Sequence, residues 1–479
     1  MSKQSKSHSN DFTSLHEWLC YLETIHNTEI DLGLSRINQV AKRLDIDFSF
    51  ACVITVAGTN GKGTTCAFLE NALLDEATTE HAIAKRVITS QTKKKKEVKQ
   101  NVAVYSSPHI ENFNERLRIN KCDIDDQSLI TAFKKIELAR AEISLSYYEY
   151  TTLAAFLVLM SVKPDVIILE VGLGGRLDAT NIIDADVAVI TTVDIDHQAF
   201  LGNDRETIGF EKAGIMRANQ HIIIGDPDTP QSVLNYAKEV NEVVAFSNQR
   251  QALSKVKVRN EDFYLTNNDC QQSWQWLYAE EDEKNNKVEH HLNNLINTHI
   301  PKDNVATALM VLKQLGVNLT AAKVNELIAQ TQVAGRTELF KANAVAASKV
   351  SLRCDFMLDV GHNPHAGRYL AKQLTQLKAQ KQYQKIFGVV AMLADKDIAN
   401  TLLPFKNIID DWYVASLAIP RAATCEHITQ ELTHFTNSIN CFDNITQAFK
   451  MANLNAEPTD LILVFGSFYT VAEIRQLII

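Results

Sequence analysis

The sequence predicts an α/β protein of two domains whose sheets are mostly parallel. Short runs rich in β-branched residues alternate with helical stretches along nearly all of the 479 residues, which is the pattern of strand–helix units. These runs are continuously apolar, as strands covered by helices on both faces must be. Apolar residues make up 46% of the chain and charged residues 22%, so the chain can bury such sheets.

The first part of the chain contains two candidate helices and five candidate strands. We predict the helices at Thr64–Leu74 and Asn304–Leu315, and the strands at Cys52–Val56, Val102–Tyr105, Val166–Val171, Val187–Val193 and His221–Ile224. Residues 247–300 differ, because they are polar, broken and contain the run EEDEKNNKVEHH. We expect irregular or edge structure at the surface there.

A second series of strands begins after about Arg336. Its strands are predicted at Asp355–Val360, Ile386–Val390, Asp411–Val414 and Leu461–Phe465. We place the boundary near Gly335–Phe340, which gives an N-terminal domain of residues 1–336 and a C-terminal domain of residues 337–479.

Composition argues against several classes of function. The net charge of −9, from 48 basic and 57 acidic side chains, gives no general attraction to nucleic acid or anionic lipid. The basic run Lys93–Lys96 has no interleaved aromatic residues, so a solvated loop is the better interpretation. The polar start carries no secretory signal, and the longest apolar run, Leu153–Met160, is too short to span a bilayer. Eight cysteines without a C-x-x-C pair indicate neither a zinc site nor a disulfide framework, so we expect a reducing, cytoplasmic setting.

The strongest local signal is the glycine-rich run that follows the first predicted strand and opens a helix. Glycines allow a tight turn whose N–H groups point at phosphate oxygens, and the helix N-terminus adds positive charge. Val56 stands where the common phosphate loop has its first glycine, and Gly63 where it has Ser or Thr. A turn that binds nothing is the alternative. We predict a P-loop NTPase-like domain that binds ATP through Gly58, Thr59, Asn60, Gly61, Lys62, Gly63 and Thr64.

Further motifs resemble those of the folylpolyglutamate synthase family, within the Mur ligase superfamily. They cover nearly the whole chain: YSSPH at 105–109, NERLRI at 114–119, EVGLGGRLDATN at 170–181, DIDH at 194–197, EKAGI at 211–215, DVGHNPHA at 359–366 and GSF at 466–468. DLGLSRI at 31–37, SYYEYTTLAA at 146–155 and DDWYVASLAIPRAAT at 410–424 resemble the bacterial bifunctional branch. The resemblance implies a Mur-ligase central domain followed by a smaller Rossmann-like C-terminal domain. Residues 75–100 and 247–300 depart from the pattern, and Gly361 replaces an alanine.

The resemblance also implies a chemistry. Such a ligase forms an acyl phosphate from ATP and a carboxylate, and the amine of glutamate then displaces phosphate. Both steps concentrate negative charge, so they require cations where that charge develops. Ser107, Glu170 and His197 follow or end predicted strands, where an α/β sheet collects ligands. By resemblance they bind Mg²⁺, and a second Mg²⁺ is a further option. From the residues alone, a turn former, an ion-pair partner and a helix cap are the alternatives.

Five more residues receive roles from the resemblance. Lys212 is implied to be carbamylated near the metal, although a solvated lysine is the commoner fate. Asn304 is implied to contact the nucleotide base, although asparagine is also a good N-cap. Arg336 is implied to bind ATP phosphate, which suits a bidentate guanidinium. Asp359 and His362 are implied to lie beside the nucleotide and glutamate, and with Lys62 and Lys212 they are our candidate catalytic residues.

The first substrate is expected to carry a pterin. Two segments resemble dihydropteroate-binding stretches, and two tyrosines either line that pocket or belong to the core; Asp178 alone reads as a turn residue. The candidate substrate-binding residues are Asp31, Leu32, Gly33, Leu34, Tyr148, Tyr150, Leu177, Asp178, Ala179, Thr180 and Ser467.

The expected partners are small molecules: ATP, L-glutamate, dihydropteroate and folates. We expect a monomer that binds neither nucleic acid nor membrane. A Mur-type ligase acting on another acid is one alternative, and tests with nucleotide-linked peptides separate the two. A non-catalytic nucleotide switch is the other; it would bind nucleotide without forming an amide.

Overall fold

The computed structural model describes residues 12–28, 30–75, 100–245, 256–258, 263–267, 273–281, 287–297, 299–342 and 350–478. Its strands are β1 Cys52–Ala57, β2 Val102–Tyr105, β3 Leu117–Ile119, β4 Cys122–Asp123, β5 Val166–Glu170, β6 Val187–Ile190, β7 His221–Ile224, β8 Val256–Val258, β9 Phe263–Asn267, β10 Ser273–Glu281, β11 Lys287–Ile296, β12 Glu338–Phe340, β13 Asp355–Asp359, β14 Ile386–Val390, β15 Asp411–Ala415, β16 Ile439–Phe442 and β17 Leu461–Phe465. Its helices are α1 Leu15–Leu22, α2 Ser35–Arg43, α3 Lys62–Leu74, α4 Asp126–Arg140, α5 Tyr147–Val162, α6 Gln198–Leu201, α7 Arg205–Ala213, α8 Gln231–Ala245, α9 Lys302–Gln314, α10 Ala321–Gln330, α11 Pro364–Ala379, α12 Ile398–Leu402, α13 Cys425–Leu432, α14 Ile445–Asn455 and α15 Phe468–Ile478.

The first sheet has the strand order β4-β3-β2-β5-β1-β6-β7-β8, so β1 lies in its centre. β1 pairs in parallel with both β5 and β6. Its side chains alternate between two cores: Ile54 and Val56 pack with Phe68 of α3, and Val53 packs with the core that contains Phe156 of α5. We call this sheet, its helices and the β9–β11 sheet the N-terminal unit.

The second sheet has the order β12-β13-β17-β14-β15-β16, and only β12 runs antiparallel to its neighbour. Helices cover both faces, since Phe356 and Leu358 belong to one core and Met357 to the other. We call this sheet and its helices the C-terminal unit. The carboxyl ends of β13, β14 and β17 carry loops toward the N-terminal unit, so candidate residues from both units can meet there.

The predicted central strands are confirmed, several with identical bounds. The strand predicted to reach Val193 ends at Ile190, because Thr191 and Thr192 leave the sheet to bond the glycine-rich loop. Both predicted helices begin two residues earlier than expected, at Lys62 and Lys302. The prediction had no signal for the short strands β4, β12 and β16 at sheet edges, nor for β3, which lies next to β4. The domain limits at 336 and 337 stay a prediction.

Residues 247–300 are more regular than predicted. In their described part, β9, β10 and β11 form an antiparallel sheet. Phe263, Trp274 and Trp276 of this sheet are buried in the same core as α9. The interpretation as irregular structure is therefore wrong for these strands. The expectation of edge structure fits β8, at the edge of the first sheet, and β9 and β11, at the edges of the antiparallel sheet, whereas β10 is central and its tryptophans lie in the core. Residues 76–99, with the basic run Lys93–Lys96, lie outside the described residues.

Two global expectations can be compared with the described chain. The structure bonds Cys425 to Cys441, with 6.1 Å between their Cα atoms, and one such pair among the described residues does not form a disulfide framework. None of the described helices combines the length and the apolar character that crossing a bilayer requires.

Candidate active site

The glycine-rich loop has the geometry of an anion-binding turn. It connects β1 to α3, and Gly61 adopts φ 89° at the N-cap of that helix. A Cβ at Gly61 would lie 2.4 Å from Oδ1 of Asn304, so the sequence needs glycine here for both conformation and space. The segment after β6 fixes the loop, because the N–H of Thr59 donates to the Thr192 carbonyl at 2.7 Å.

Lys62 lies against this loop. Its ammonium donates to the carbonyl oxygens of Gly58 at 2.9 Å and Thr59 at 3.4 Å. Burial lowers the pKa of Lys62, and the carboxylate of Glu170 opposes that effect. Thr64 is buried in the first turn of α3. The structure therefore places the Lys62 ammonium at the turn, and the phosphate contacts of this loop stay a prediction.

The candidate metal ligands approach the loop from two sides. Glu170 ends β5 and is buried; burial raises its pKa, while Lys62 and Arg336 lower it. Ser107 follows β2 and lines, with Glu170, Gly63 and Arg336, a cavity of about 580 Å³.

His197 follows β6 at φ 51°, and its ring makes no capping hydrogen bond to α6. Burial lowers the pKa of the imidazole to about 3. A neutral imidazole can donate a lone pair to a metal.

This donor set fits a divalent cation that shares its coordination with phosphate. Among the described residues, no cluster of three or more His, Cys, Asp or Glu side chains could hold a metal by itself. One hydroxyl, one carboxylate and one imidazole leave several positions for phosphate oxygens and water, which is how Mg²⁺ is usually bound. A Cβ at Gly63 would lie 3.7 Å from the Glu170 carboxylate, so the start of α3 directly adjoins that ligand.

Lys212 is not a surface lysine. It ends α7, only 3% of it is exposed, and burial lowers its pKa to about 7. The charge of Lys62 lowers this pKa further, whereas Asp196 and Asp178 raise it. The interpretation as a solvated lysine is therefore wrong, and the amine lies within electrostatic range of the phosphate loop.

Asn304 lies beside the loop as a site residue rather than as a cap. α9 begins at Lys302 with Pro301 as its N-cap, so the N-cap alternative for Asn304 is wrong. The Asn304 side chain is buried and its amide approaches Gly61.

Arg336 lies in the link between the two units. Its guanidinium lies 5.2 Å from the ring centre of Phe468, and burial lowers its pKa. Asp359, at the end of β13, fixes this link: its carboxylate accepts from the N–H groups of Thr337 and Gly361, both at 2.7 Å. Burial raises the pKa of Asp359, and Arg336 opposes it.

The H-N-P segment contacts the N-terminal unit directly. The Nδ1–H of His362 donates to the Val360 carbonyl at 2.8 Å, and its Nε2 lies 3.6 Å from Asp196. Asn363 donates to Asp196 at 2.8 Å and to Asn60 of the phosphate loop at 3.2 Å. The two units therefore meet at the glycine-rich loop and at the D-I-D-H segment.

The candidate substrate segments form a second cluster. It lies on the face of the first sheet opposite to the face that α3 covers. Asp31 pairs with Arg36 at 2.8 Å, and Arg36 also pairs with Glu149 at 3.2 Å. Leu32, Gly33 and Leu34 lead from Asp31 into α2 and are half-buried. α2 and α5 both contact the short 3₁₀ turn Ala179–Ile182.

Asp178 and Tyr148 connect this cluster to the metal candidates. The Asp178 carboxylate accepts from Leu173 N–H at 2.9 Å and from the hydroxyl of Thr180 at 2.7 Å. Asp178 therefore orders the turn, in agreement with its interpretation as a turn residue. The Tyr148 hydroxyl lies 3.5 Å from Asp178. A Cβ on Gly172 would lie 2.7 Å from that hydroxyl and 3.2 Å from the Ser107 hydroxyl. Leu177 and Ala179 flank Asp178 in the same turn.

Two predicted substrate residues are buried and make structural hydrogen bonds. Tyr150 is fully buried, and its hydroxyl donates to the carbonyl of Phe133 at 3.0 Å and to Glu137 at 3.1 Å. This agrees with the alternative that Tyr150 belongs to the core, because its ring faces α4 rather than a cavity. Ser467 is 2% exposed, and its hydroxyl accepts from the N–H of Thr470 at the start of α15. It therefore caps that helix.

Sequence reasoning gave no role to several polar residues at this cleft. Thr192 holds the phosphate loop, and Asp196 and Asn363 join the units. Lys396, after β14, donates to Asp196 at 2.8 Å and its side chain is only 7% exposed. The available signal was that each follows the carboxyl end of a strand, but the contacts span up to 200 residues of sequence.

Comparison with known proteins agrees with this architecture. Residues 56–277 match the Mur ligase middle domain, and residues 335–468 match the Mur ligase glutamate ligase domain. The fold and site are thus those of a Mur-type ligase.

Similarity to individual proteins extends over the whole chain. The chain is 38% identical over 464 residues to the dihydrofolate synthase/folylpolyglutamate synthase of Escherichia coli K12, and the alignment covers 97% of this chain and 95% of the relative. The chain belongs to the dihydrofolate synthase/folylpolyglutamate synthase family. E. coli FolC in complex with DHPP and ADP superposes with a TM-score of 0.79 at 37% identity, covering 97% and 98% of the two chains. The Yersinia pestis bifunctional enzyme complexed with AMPPNP and Mn gives 0.77 at 37% identity, with the same coverage.

Proposed function

We propose that this chain joins L-glutamate to dihydropteroate, forming dihydrofolate, and to folylpolyglutamates, with ATP as the phosphoryl donor. The observation that carries this proposal is the meeting of the phosphate loop, Glu170 and the H-N-P segment at one cleft between the two units. The full-length similarity to bifunctional relatives, two of which were crystallised with ADP or AMPPNP, supports the choice of nucleotide and of acid.

In the first step, ATP transfers its γ-phosphoryl group to the substrate carboxylate, and ADP leaves. The N–H groups of Thr59 and Asn60 hold the loop against Thr192, so the N–H groups at the start of α3 and the ammonium of Lys62 are the donors that we assign to the phosphates. Asn304 is assigned to the base. Arg336 places a guanidinium where negative charge develops. The carboxylates of Asp359 and Glu170 lie within electrostatic range of this guanidinium, and both oxygens of Asp359 accept backbone N–H groups.

In the second step, the amine of glutamate attacks the acyl phosphate, an amide forms and phosphate leaves. His362 and Asp359 lie at or just after the carboxyl end of β13, and we assign the approach of the amine to this side of the cleft. The matched glutamate ligase domain contains both. Water must stay out of this cleft, because it would hydrolyse the acyl phosphate.

We assign Ser107, Glu170 and His197 to a divalent cation, and we take Mg²⁺ as the ion. The Mn in the Yersinia structure supports a divalent cation at such a site. When bound, Mg²⁺ neutralises phosphate charge and orients the transferring group. Lys212 is proposed to be carbamylated, because a buried amine that is readily neutral can react with CO₂. A ¹³C-bicarbonate NMR signal that disappears in Lys212→Met tests this assignment.

The pterin end of the acid is assigned to Asp31–Leu34, Tyr148 and Leu177–Thr180. The helices that follow Asp31–Leu34 and carry Tyr148 both contact the 3₁₀ turn after Asp178, and the Tyr148 hydroxyl and the Ser107 hydroxyl both lie next to Gly172. This arrangement would bring the substrate carboxylate toward the phosphate loop. The monomeric state and the cytoplasmic setting stay predictions.

Mass spectrometry of products tests the function. Dihydropteroate and tetrahydrofolate are each incubated with enzyme, ATP, Mg²⁺ and glutamate, and a nucleotide-linked peptide acid is the third substrate. We expect a glutamyl product from the first two acids and none from the third. A product from the peptide acid alone would contradict the proposal, and ADP release that ignores all three acids would contradict ligase chemistry.

Two lysine variants provide the matched control. Lys62→Met removes the phosphate-loop ammonium and should abolish product formation. Lys135→Met removes an exposed charge on α4, away from the cleft, and should leave product formation unchanged. Full activity of Lys62→Met would mean that the loop does not bind the transferring phosphate.

A further inference from the structure

Asp196 connects the C-terminal unit to the backbone of His197. Its Oδ1 accepts from the N–H of His197 at 2.8 Å and from the ammonium of Lys396 at 2.8 Å. Its Oδ2 accepts from Asn363 at 2.8 Å and lies 3.6 Å from Nε2 of His362. One carboxylate of the N-terminal unit is thus bound by three side chains of the C-terminal unit and by the residue that we assign to the metal.

The conformation of His197 makes this support necessary. His197 adopts φ 51°, a left-handed conformation that non-glycine residues rarely adopt. Such conformations persist when the surroundings fix them. The hydrogen bond from the His197 N–H to Asp196 supplies that constraint, so the position of the imidazole depends on where the carboxylate of Asp196 is held.

Lys396 is presented rigidly within its own unit. The loop that carries it follows β14, and the N–H of Ala394 donates to the Arg421 carbonyl at 2.8 Å. Leu393 forms a β-bridge with Ala422. The Lys396 and Asp196 side chains are 7% and 9% exposed, so their ion pair is little screened by solvent.

We propose that Lys396 is a positioning residue that acts through Asp196 to hold His197 in the geometry that binds the divalent cation. The inference rests on the proposed function, because it takes His197 as a metal ligand. It implies that the cation binds tightly only when the two units are in contact. By linkage, the bound cation strengthens the contact between the units to the same degree.

The neighbouring ion pair between the units offers a matched control. Arg368 pairs with Asp194, with side-chain exposures of 55% and 18%. Oδ1 of Asp194 accepts from the N–H of Ile195, whereas the N–H of His197 donates to Asp196. Removing this pair weakens the same contact between the units without releasing the Asp196 carboxylate.

The experiment measures Mn²⁺ affinity of the ADP-bound protein by electron paramagnetic resonance, for wild type, Lys396→Met and Arg368→Met. We expect Lys396→Met to weaken Mn²⁺ binding by about 10- to 100-fold, the usual effect of losing a residue that orients a metal ligand. Arg368→Met should weaken it much less, because exposed ion pairs contribute little. ADP affinity without metal should be equal in all three proteins.

Asp196→Asn keeps the shape of the side chain and removes its charge, and it should weaken Mn²⁺ binding as Lys396→Met does. Wild-type Mn²⁺ affinity in either variant, or equal losses in Lys396→Met and Arg368→Met, would overturn the inference. This measurement requires no turnover. The product assay can therefore fail while Mn²⁺ binding behaves as expected, and the reverse outcome would leave the ligase function standing.

Discussion

Replacing Gly61 by alanine tests the phosphate loop with one methyl group. At φ 89°, alanine is strained by about 1–2 kcal/mol relative to a right-handed conformation. The added Cβ would also lie 2.4 Å from the Asn304 amide oxygen, which is far inside van der Waals contact. The strain alone would reduce the population of the binding conformation by about 5- to 30-fold.

A double-mutant cycle separates strain from steric conflict. Gly61→Ala should weaken ADP binding by more than the factor expected from strain, and part of that loss should disappear when Asn304→Ala supplies the background, because the colliding amide is gone. ADP affinity is measured by calorimetry for the four proteins. Unfolding midpoints of the same proteins show whether the loss is local.

The control is Gly63→Ala, two residues further along. A Cβ at Gly63 would meet only the Glu170 carboxylate, at an ordinary contact distance of 3.7 Å. It should therefore disturb the folded loop less than Gly61→Ala does. Wild-type ADP affinity in Gly61→Ala, or a loss that Asn304→Ala leaves unchanged in every respect, would refute the reasoning about this turn.

Two further predictions follow from buried groups. Burial lowers the pKa of Lys212 to about 7, whereas a lysine in the unfolded chain keeps a pKa of about 10.4. Between these two pH values the unfolded chain therefore binds one proton more than the folded protein. The free energy of unfolding should rise with pH in this range, by at most about 1.4 kcal/mol per pH unit. Urea unfolding in carbonate-free buffer should show this rise in wild type and a flatter curve in Lys212→Met; identical curves would contradict it. Tyr150→Phe should cost about 1 kcal/mol of stability, because Glu137 loses a donor, and leave the KM for dihydropteroate unchanged. Tyr148→Phe should raise the KM for dihydropteroate. If Tyr150→Phe raised this KM and Tyr148→Phe did not, Tyr150 would be the substrate residue and Tyr148 the core residue.

The sequence was sufficient for the parts of the fold that depend on local pattern. β1, β5 and β6 are continuous apolar runs because both of their faces are buried, and their ends place Glu170 and the phosphate loop together. The same argument failed for β10, since its buried tryptophans alternate with polar residues inside a polar segment. A two-residue period in a short, charged stretch is easily lost among its neighbours.

The candidate site could be predicted where a motif is contiguous, and not where a contact is distant. Gly61 and Lys62 are recognisable because they belong to one short motif. Lys396 contacts Asp196, which lies 200 residues away in the sequence, so no local pattern predicts that contact. Tyr148 and Tyr150 stand two positions apart on α5, and only the packing of the helix decides which one faces Gly172 and which one faces α4. The environment of Lys212 could not be predicted for the same reason. A lysine near the end of a short helix is expected to be solvated, and only its burial in the folded structure shows otherwise.

The contacts of Asp359 explain why the two units work as one site. Both of its oxygens accept backbone N–H groups, one from Thr337 in the link and one from Gly361 before the H-N-P segment. The same carboxylate thus sets the link that carries Arg336 and the turn that carries His362. Because Thr337 itself adopts φ 43°, the link has little freedom once these bonds form. One buried acid therefore holds in fixed register Arg336, which we propose for the phosphoryl transfer, and His362, which we propose for the later attack.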